Sequence, residues 1–249
     1  MSGHSKWATI KHKKGAADKA RAKLFAKILR QVEVAAREGG GDLEANPTLR
    51  TMYQKARDAS VPTDTIERAV KRGTGELEGV RYEAVTYEGY APCGVAVYVE
   101  CLTDNRNRTG ADIRHIFSKN GGSSAEPGAV AWQFQRKGVM VVRKTEDDDE
   151  LMLVALEAGA DDLEDQGDTW QILCPPSDLG MVKGALTDAG VVVESADLSM
   201  IPTATVSLDD EADARKVLRL IDALEEHDDV QAVYANFDIP DALLQAVEA

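Results

Sequence analysis

Aromatic residues are scarce in this chain: Phe, Trp and Tyr together make up 5% of it. That leaves no obvious set of stacking pairs of the kind an RNA-recognition sheet presents to bases. Cysteine is scarcer still. Cys93, Cys101 and Cys174 are odd in number, widely spaced and without a C-x-x-C pair. They make neither a zinc ribbon, nor a thioredoxin-type site, nor a secreted disulfide framework, and they fit a reducing compartment. No apolar run approaches the roughly 18–20 residues of a membrane span. Residues 1–14 are basic but have no apolar stretch behind them, unlike a signal peptide, so the expected location is cytoplasmic. Base is nearly missing from the C-terminal part: residues 146–249 hold 4 Lys+Arg against 27 Asp+Glu.

What is present is a strong segregation of charge. The net charge of the 249 residues is -14, which on its face argues against nucleic acid. Residues 1–72, however, carry net +8, residues 73–145 net +1 and residues 146–249 net -23. A polyanion responds to the local patch within a Debye length, about 8–10 Å, and not to the total. The expectation is a basic working end on an acidic body.

The N-terminal third reads as helices. From Ala16 to Glu38 the apolar residues Leu24, Phe25, Ile28, Leu29, Val32 and Ala36 recur with helical period. On a wheel of about 100° per residue, Lys19, Lys23, Lys27, Arg30 and Arg37 gather on another face. Gly39–Gly41 should end this helix. A second helix is expected from Asn46-Pro47 to about Ala59, and a third over Thr63–Arg72 with Gly73 as its cap. The second and third also fit a helix-turn-helix reader. Against that, Asp64 and Glu67 occupy the N-terminal turns that such a reader puts into the groove. Ahead of the first helix, Lys6, Trp7, Lys11, His12, Lys13 and Lys14 form a basic arm. Trp7 either stacks on a base or sugar or anchors the arm. Phosphate is the expected target, rather than base edges. The reading requires that the stripe of Lys19, Lys23, Lys27 and Arg30 not be neutralised by the molecule's own carboxylates.

Beyond a Gly/Glu linker at 73–79, strands are expected at 82–88 and 95–102, a helix at 110–119, an irregular stretch at 120–128 and a strand at 130–134. The order that follows is strand 139–143, helix 148–158, strands 161–164 and 169–174, helix 178–189 and strand 191–198. This is β-α-β-β-α-β, the ferredoxin-like unit. Strand 203–208, helix 211–226 and strand 230–235 cannot stand alone, and need the elements of 80–134 to complete them. The fold class expected is therefore α+β and multidomain: an N-terminal helical domain followed by two α/β sandwich-type domains, the second ferredoxin-like and inserted in the first. The boundaries are 1–78, 79–134 with 201–239, 135–200 inserted, and a tail at 240–249.

Thr103-Asp104-Asn105-Arg106-Asn107-Arg108-Thr109 lies between a strand and a helix. Arg106 and Arg108 there read either as a forked anion clamp or as surface pairs, with Asp104 and Asn105 as turn and cap residues. The acidic run 146–150 reads as the first turn of a helix, and Asp161-Asp162 and Asp228-Asp229 as solvated ends. No metal site is expected, and His4 with His12 makes none. No phosphate-binding glycine loop, nucleophile elbow or zinc motif occurs, and His115 and His227 have no recognisable nucleophile partner. No catalytic residue and no cofactor are expected, and the class is not an enzyme.

Several longer words carry a resemblance. Met1-Ser2-Gly3-His4-Ser5-Lys6-Trp7, Gly39-Gly40-Gly41-Asp42 with Asn46-Pro47, Tyr87-Glu88-Gly89-Tyr90 and Leu102 through Arg108 resemble the YebC family. So do Phe117 through Gly122, Leu156 through Ala160 and Met200-Ile201-Pro202. The resemblance implies three domains, one inserted in another, and no established catalytic residues. Bacterial members are described as cytoplasmic DNA-binding transcriptional regulators, a mitochondrial relative as a translational activator, and others as factors that ease stalled ribosomes. It therefore implies a non-enzymatic regulator of gene expression, whose partner is DNA in the first role and ribosomal or messenger RNA, with the ribosome, in the second.

Overall fold

The computed structural model describes residues 18–144, 148–240 and Leu243, with side chains from Arg21 onward. Three helices come first: α1 (Asp18–Gly39), α2 (Pro47–Asp58) and α3 (Thr63–Thr74). Their shared core is Ile28, Val32, Ala36, Leu49, Ala56, Ile66 and Ala69, the residues that the helical period brings to one side. Asn46 caps α2 by accepting from the Leu49 N–H at 3.0 Å. Helix α3 does not stop at Gly73. It runs on to Thr74, and Gly75 takes the left-handed cap conformation at φ 84°. Gly73 is inside the helix because α1 passes too close for a side chain: a Cβ there would lie 2.4 Å from the Glu33 carbonyl oxygen. The buried Glu33 carboxylate ties the same two helices, pairing with Arg72 at 3.0 Å and Arg37 at 3.4 Å.

The first sheet has the order β3-β1-β2-β9, from β1 (Glu83–Tyr90), β2 (Ala96–Thr103), β3 (Ser123–Ala125) and β9 (Val230–Ala235). All of its pairings are antiparallel. Helices α4 (Arg106–Lys119) and α7 (Glu211–Glu225) cover one face. Ile113, Phe117, Leu218, Leu220, Ile221 and Leu224 pack there on Val97, Val99 and Val233. The stretch 120–128, expected to be irregular, holds strand β3. Gly89 makes that strand possible, since a Cβ there would meet Phe117 and the Ser123 backbone within 2.8 Å.

The second sheet, β5-β6-β4-β7, comprises β4 (Phe134–Arg143), β5 (Asp162–Asp165), β6 (Thr169–Cys174) and β7 (Val193–Pro202), again all antiparallel. Helices α5 (Asp148–Glu157) and α6 (Leu179–Asp188) pack on it around Met140, Val142, Leu151, Ile172 and Leu186. With its two helices, that strand order is the ferredoxin-like arrangement. The chain leaves the first sheet after β3, builds the second within 134–202, and returns through β8 (Val206–Ser207), α7 and β9. A third pairing joins β8 to β10 (Phe237–Asp238) in parallel.

The crossing is stapled by buried polar groups. The Glu88 carboxylate accepts from the N–H groups of Gly128, Val130 and Ala131 at 2.6–2.9 Å. Burial alone would raise its pKa; the three donors outweigh that and hold it below the usual range. These bonds fix 128–131 as a turn, so the expected strand at 130–134 becomes a 3-10 turn over Ala131–Gln133 and the strand begins at Phe134. The expected strand 203–208 shrinks to Val206–Ser207. Asn236 accepts from the Ala96 N–H at 2.7 Å and donates to Gln133 and Ala204, tying entry and exit together. On the sheet face away from α4 and α7, Tyr98 stands 6.1 Å from Phe134 and 6.4 Å from Tyr234, centroid to centroid. Tyr90 joins this group, so four aromatics gather on that face.

Candidate nucleic-acid interface

The cationic face of α1 points at the end of α7. Lys23 Nζ donates to the Glu226 carbonyl at 2.7 Å, and Lys27 Nζ to the Glu225 carbonyl at 2.8 Å. Arg30 donates to the Asp228 carbonyl at 2.6 Å and to the Asp229 carboxylate at 3.0 Å. The last carbonyls of a helix lack internal partners and form the negative end of its dipole. Two ammonium groups and a guanidinium at that point satisfy both needs. The Arg30 guanidinium also lies over the Tyr82 ring, 5.2 Å from its centroid.

Asp229 is the node of this contact. Its side chain is only 5% exposed, against the expectation of a solvated end. It accepts from the Thr109 hydroxyl at 2.7 Å, Arg108 Nη2 at 2.9 Å and Arg30 Nη1 at 3.0 Å. Its N–H donates to His227 Nδ1 at 3.1 Å and its carbonyl accepts from the Leu102 N–H at 2.8 Å. Burial pushes its pKa up, but the Thr109 hydroxyl and the two arginines more than offset this and hold the carboxyl below its usual range. A polar cleft of about 610 Å³ opens beside it, lined by Lys23, Tyr82, Asp104 and Asp112 among others. His227 Nε2 stands 3.4 Å from Asp112, and no serine, threonine or cysteine is among the described residues that line the cleft.

These contacts alter the reading of the candidate residues. Lys23, Lys27 and Arg30 share one face of α1 as expected, but it is turned toward the middle sheet's helices. Arg30 is paired with an internal carboxylate; Lys23 has Asp228 at 3.9 Å as well as its carbonyl. Arg37 goes to Glu33 and the Val80 carbonyl. Lys19 lies on α1, within the backbone described. Lys6, Trp7, Lys11, His12, Lys13 and Lys14 lie outside the described residues.

Arg106 and Arg108 are not a fork. Helix α4 starts at Arg106, four residues before the expected position, because Asn105 caps it by accepting from the Arg108 N–H at 3.1 Å. Residues two apart on a helix diverge by about 200°. Arg108 accordingly turns inward to Asp104 at 2.7 Å and Asp229 at 2.9 Å. Arg106 is exposed and has no acidic partner among the described residues. From the sequence, Thr109 and Glu88 have no role of their own and Asp229 reads as a solvated end. The signal available was the Asn105 cap followed by Thr109 one turn on.

The comparisons with known proteins cover the same architecture. Residues 5–76 match the family model described as TACO1/YebC protein N-terminal domain, and residues 82–237 that described as TACO1/YebC second and third domain. A protein of Halothermothrix orenii named probable transcriptional regulatory protein is 55% identical over 250 residues, 99% of each chain. One of Rubrobacter xylanophilus with the same name is 58% identical over 249 residues, again 99% of each. The crystal structure of a conserved hypothetical protein from Aquifex aeolicus has a TM-score of 0.81 at 47% identity, covering 89% of this chain and 91% of that one.

Proposed function

The chain belongs to the TACO1/YebC family, and from that premise we propose that it is a non-enzymatic, nucleic-acid-binding regulator of gene expression acting in the cytoplasm. The observation that carries the reading is the net +8 of residues 1–72 on a chain whose total is -14, in a protein alike over its full length to relatives named probable transcriptional regulatory protein. The arm residues Lys6, Trp7, Lys11, His12, Lys13 and Lys14, together with Arg106, are the first contacts with phosphate. Lys19, Lys23, Lys27, Arg30 and Arg108 support them. Of these, Lys23, Lys27, Arg30 and Arg108 reach a polyanion only by giving up internal acceptors.

The test is binding to duplex DNA and to single-stranded RNA across a salt series. Each phosphate contact contributes a slope of about -0.9 on duplex and about -0.7 on single strands in log affinity against log salt. Charge reversal at Lys11, Lys13 and Lys14 should weaken binding and flatten the slope; an unchanged slope removes the arm from the interface. A second reading, a ribosome-associated translation factor that binds RNA, is favoured by the net -23 of residues 146–249, which repels naked duplex yet suits basic ribosomal proteins. Crosslinking in cells, with sequencing of both the DNA and the RNA recovered, separates the two.

A further inference from the structure

Helix α4 carries two cations that the docking of α1 leaves untouched. Arg106 and Arg114 are both exposed, and neither has a carboxylate partner among the described residues. They are eight residues apart with Gly110 midway, so they lie along one flank of the helix, while Arg108 leaves from the opposite side toward Asp229. Gly110 is buried, and its missing side chain lets Tyr87 and Arg114 close over the helix at that point. A Cβ on it would come 3.3 Å from Tyr87 Oη and 3.4 Å from Arg114 Nη1, so the phenol and the Arg114 guanidinium meet over the same patch. Long helical side chains lean toward the N-terminus, which brings Arg114 back over Gly110 toward Arg106. The Tyr87 hydroxyl donates to the Arg106 carbonyl at 3.1 Å and pins the first turn. Both arginines act electrostatically on that hydroxyl, and Glu83 is the acidic side chain that faces it.

We infer that Arg106 and Arg114, set over Gly110 and Tyr87, form a seat for a phosphodiester group of a nucleic-acid strand, separate from the N-terminal arm. The seat rests on the nucleic-acid reading above and deepens it. Two guanidinium groups supply forked donors matched to phosphate oxygens, and neither is ion-paired with a carboxylate among the described residues. Arg114 thus takes the place that a linear reading of the sequence gives to Arg108.

The experiment measures fluorescence anisotropy of a labelled single-stranded RNA and a labelled DNA duplex across salt, with the full chain. Arg106→Ala with Arg114→Ala should lower the slope by about 0.7 on the single strand or about 0.9 on the duplex, the worth of the one seated phosphate. Arg106→Lys with Arg114→Lys should restore the slope, because the charge returns. The control is Arg57→Ala with Lys71→Ala, which removes the same charge from exposed positions of α2 and α3. An equal drop in the control overturns the seat in favour of a diffuse field. An unchanged slope in the Arg106/Arg114 variant, with the wild type still binding, overturns the seat alone. A wild type that binds neither probe overturns the parent reading as well. Displacement of both probes by inorganic phosphate at constant ionic strength would make the site a small-anion seat and overturn the polymer assignment.

Discussion

Helices α1 and α4 both carry a row of cations, yet the two sets have opposite fates. On α1, Lys23, Lys27 and Arg30 meet the carbonyls of Glu225, Glu226 and Asp228 and the Asp229 carboxylate. On the Gly110 flank of α4, Arg106 and Arg114 meet no acid among the described residues. What separates them is the acceptors opposite, not the residue type. A helix that ends at Glu225, with Glu226 as its cap and Asp228 and Asp229 in the turn beyond, offers unsatisfied carbonyls and negative charge together, and cations settle there. A cationic stripe read from sequence is therefore a statement about attraction to anions in general. The nearest anion can belong to the same chain.

The comparison breaks most sharply at Asp229. Asp229→Ala leaves Arg30 and Arg108 facing each other without their shared acceptor and takes one partner from the Thr109 hydroxyl, which keeps Thr103 and the Asn105 carbonyl. Removing one member of a buried pair costs about 3–5 kcal/mol, and the half-exposed Arg108 argues for the lower end, about 3 kcal/mol. Calorimetry should show the helical and middle parts melting less cooperatively, whereas Arg106→Ala and Arg114→Ala should leave the melting profile unmoved. Equal destabilisation by both sets would erase the distinction between a docked and a free cationic face.

Acid should reproduce the Asp229 effect in weaker form, because a protonated carboxyl still accepts from Thr109. Its folded-state pKa lies below the unfolded one. The stability it contributes is thus complete above the ordinary carboxylate range, near pH 4, and is lost as pH falls through the lowered value. Glu88 has the same sign and loses its turn in the same window. Thermal melts of wild type and Asp229→Asn should differ at neutral pH and converge in acid. A gap that persists or widens below pH 3 would mean that the carboxylate's charge is not what holds the contact.

Arg30→Lys tests geometry rather than charge. Arg30 Nη1 donates to both a carbonyl and a carboxylate while the planar guanidinium covers the Tyr82 ring, and a lysine ammonium has no plane to lay on that ring. A loss of about 1 kcal/mol in chemical denaturation is expected, with charge preserved. The same swap at Arg106 or Arg114 should cost little in stability, since those groups have no acidic partner among the described residues.

How much of this was legible beforehand follows from chain distance. The three helices, the two sheets' elements and the β-α-β-β-α-β order leave periodic traces within windows of ten or so residues. Thr169–Cys174 and Val230–Ala235 fall where the β-branched and aromatic runs place them. The start of α4 left little trace, because Arg106-Asn107-Arg108 has no apolar period and Asn105 reads equally as turn or cap. Taken as a loop, Arg106 and Arg108 look like neighbours; on the helix about half a turn separates them and turns them to different sides. Gly73 reads as a stop signal from sequence, and only the passage of α1 beside it shows that its bareness serves packing. The acceptors of Lys23, Lys27 and Arg30 lie about 200 residues downstream, beyond any local pattern.

The smallest effect is expected at Lys23, and it carries its own information. Its side chain is 41% exposed, its strongest bond goes to a backbone carbonyl that water can replace, and Asp228 stands off at 3.9 Å. Exposed pairs of this kind contribute about 0–1 kcal/mol, so Lys23→Ala should cost no more than about 0.5 kcal/mol. A double-mutant cycle with Asp228→Ala should then return a coupling near zero. Lys23 would in that case be the cation of the stripe most readily lent to an incoming phosphate, while Arg30 stays with Asp229. A coupling above about 1 kcal/mol would instead make Lys23 part of one cooperative network with Arg30, and the whole of α1's cationic face would have to be counted as structural.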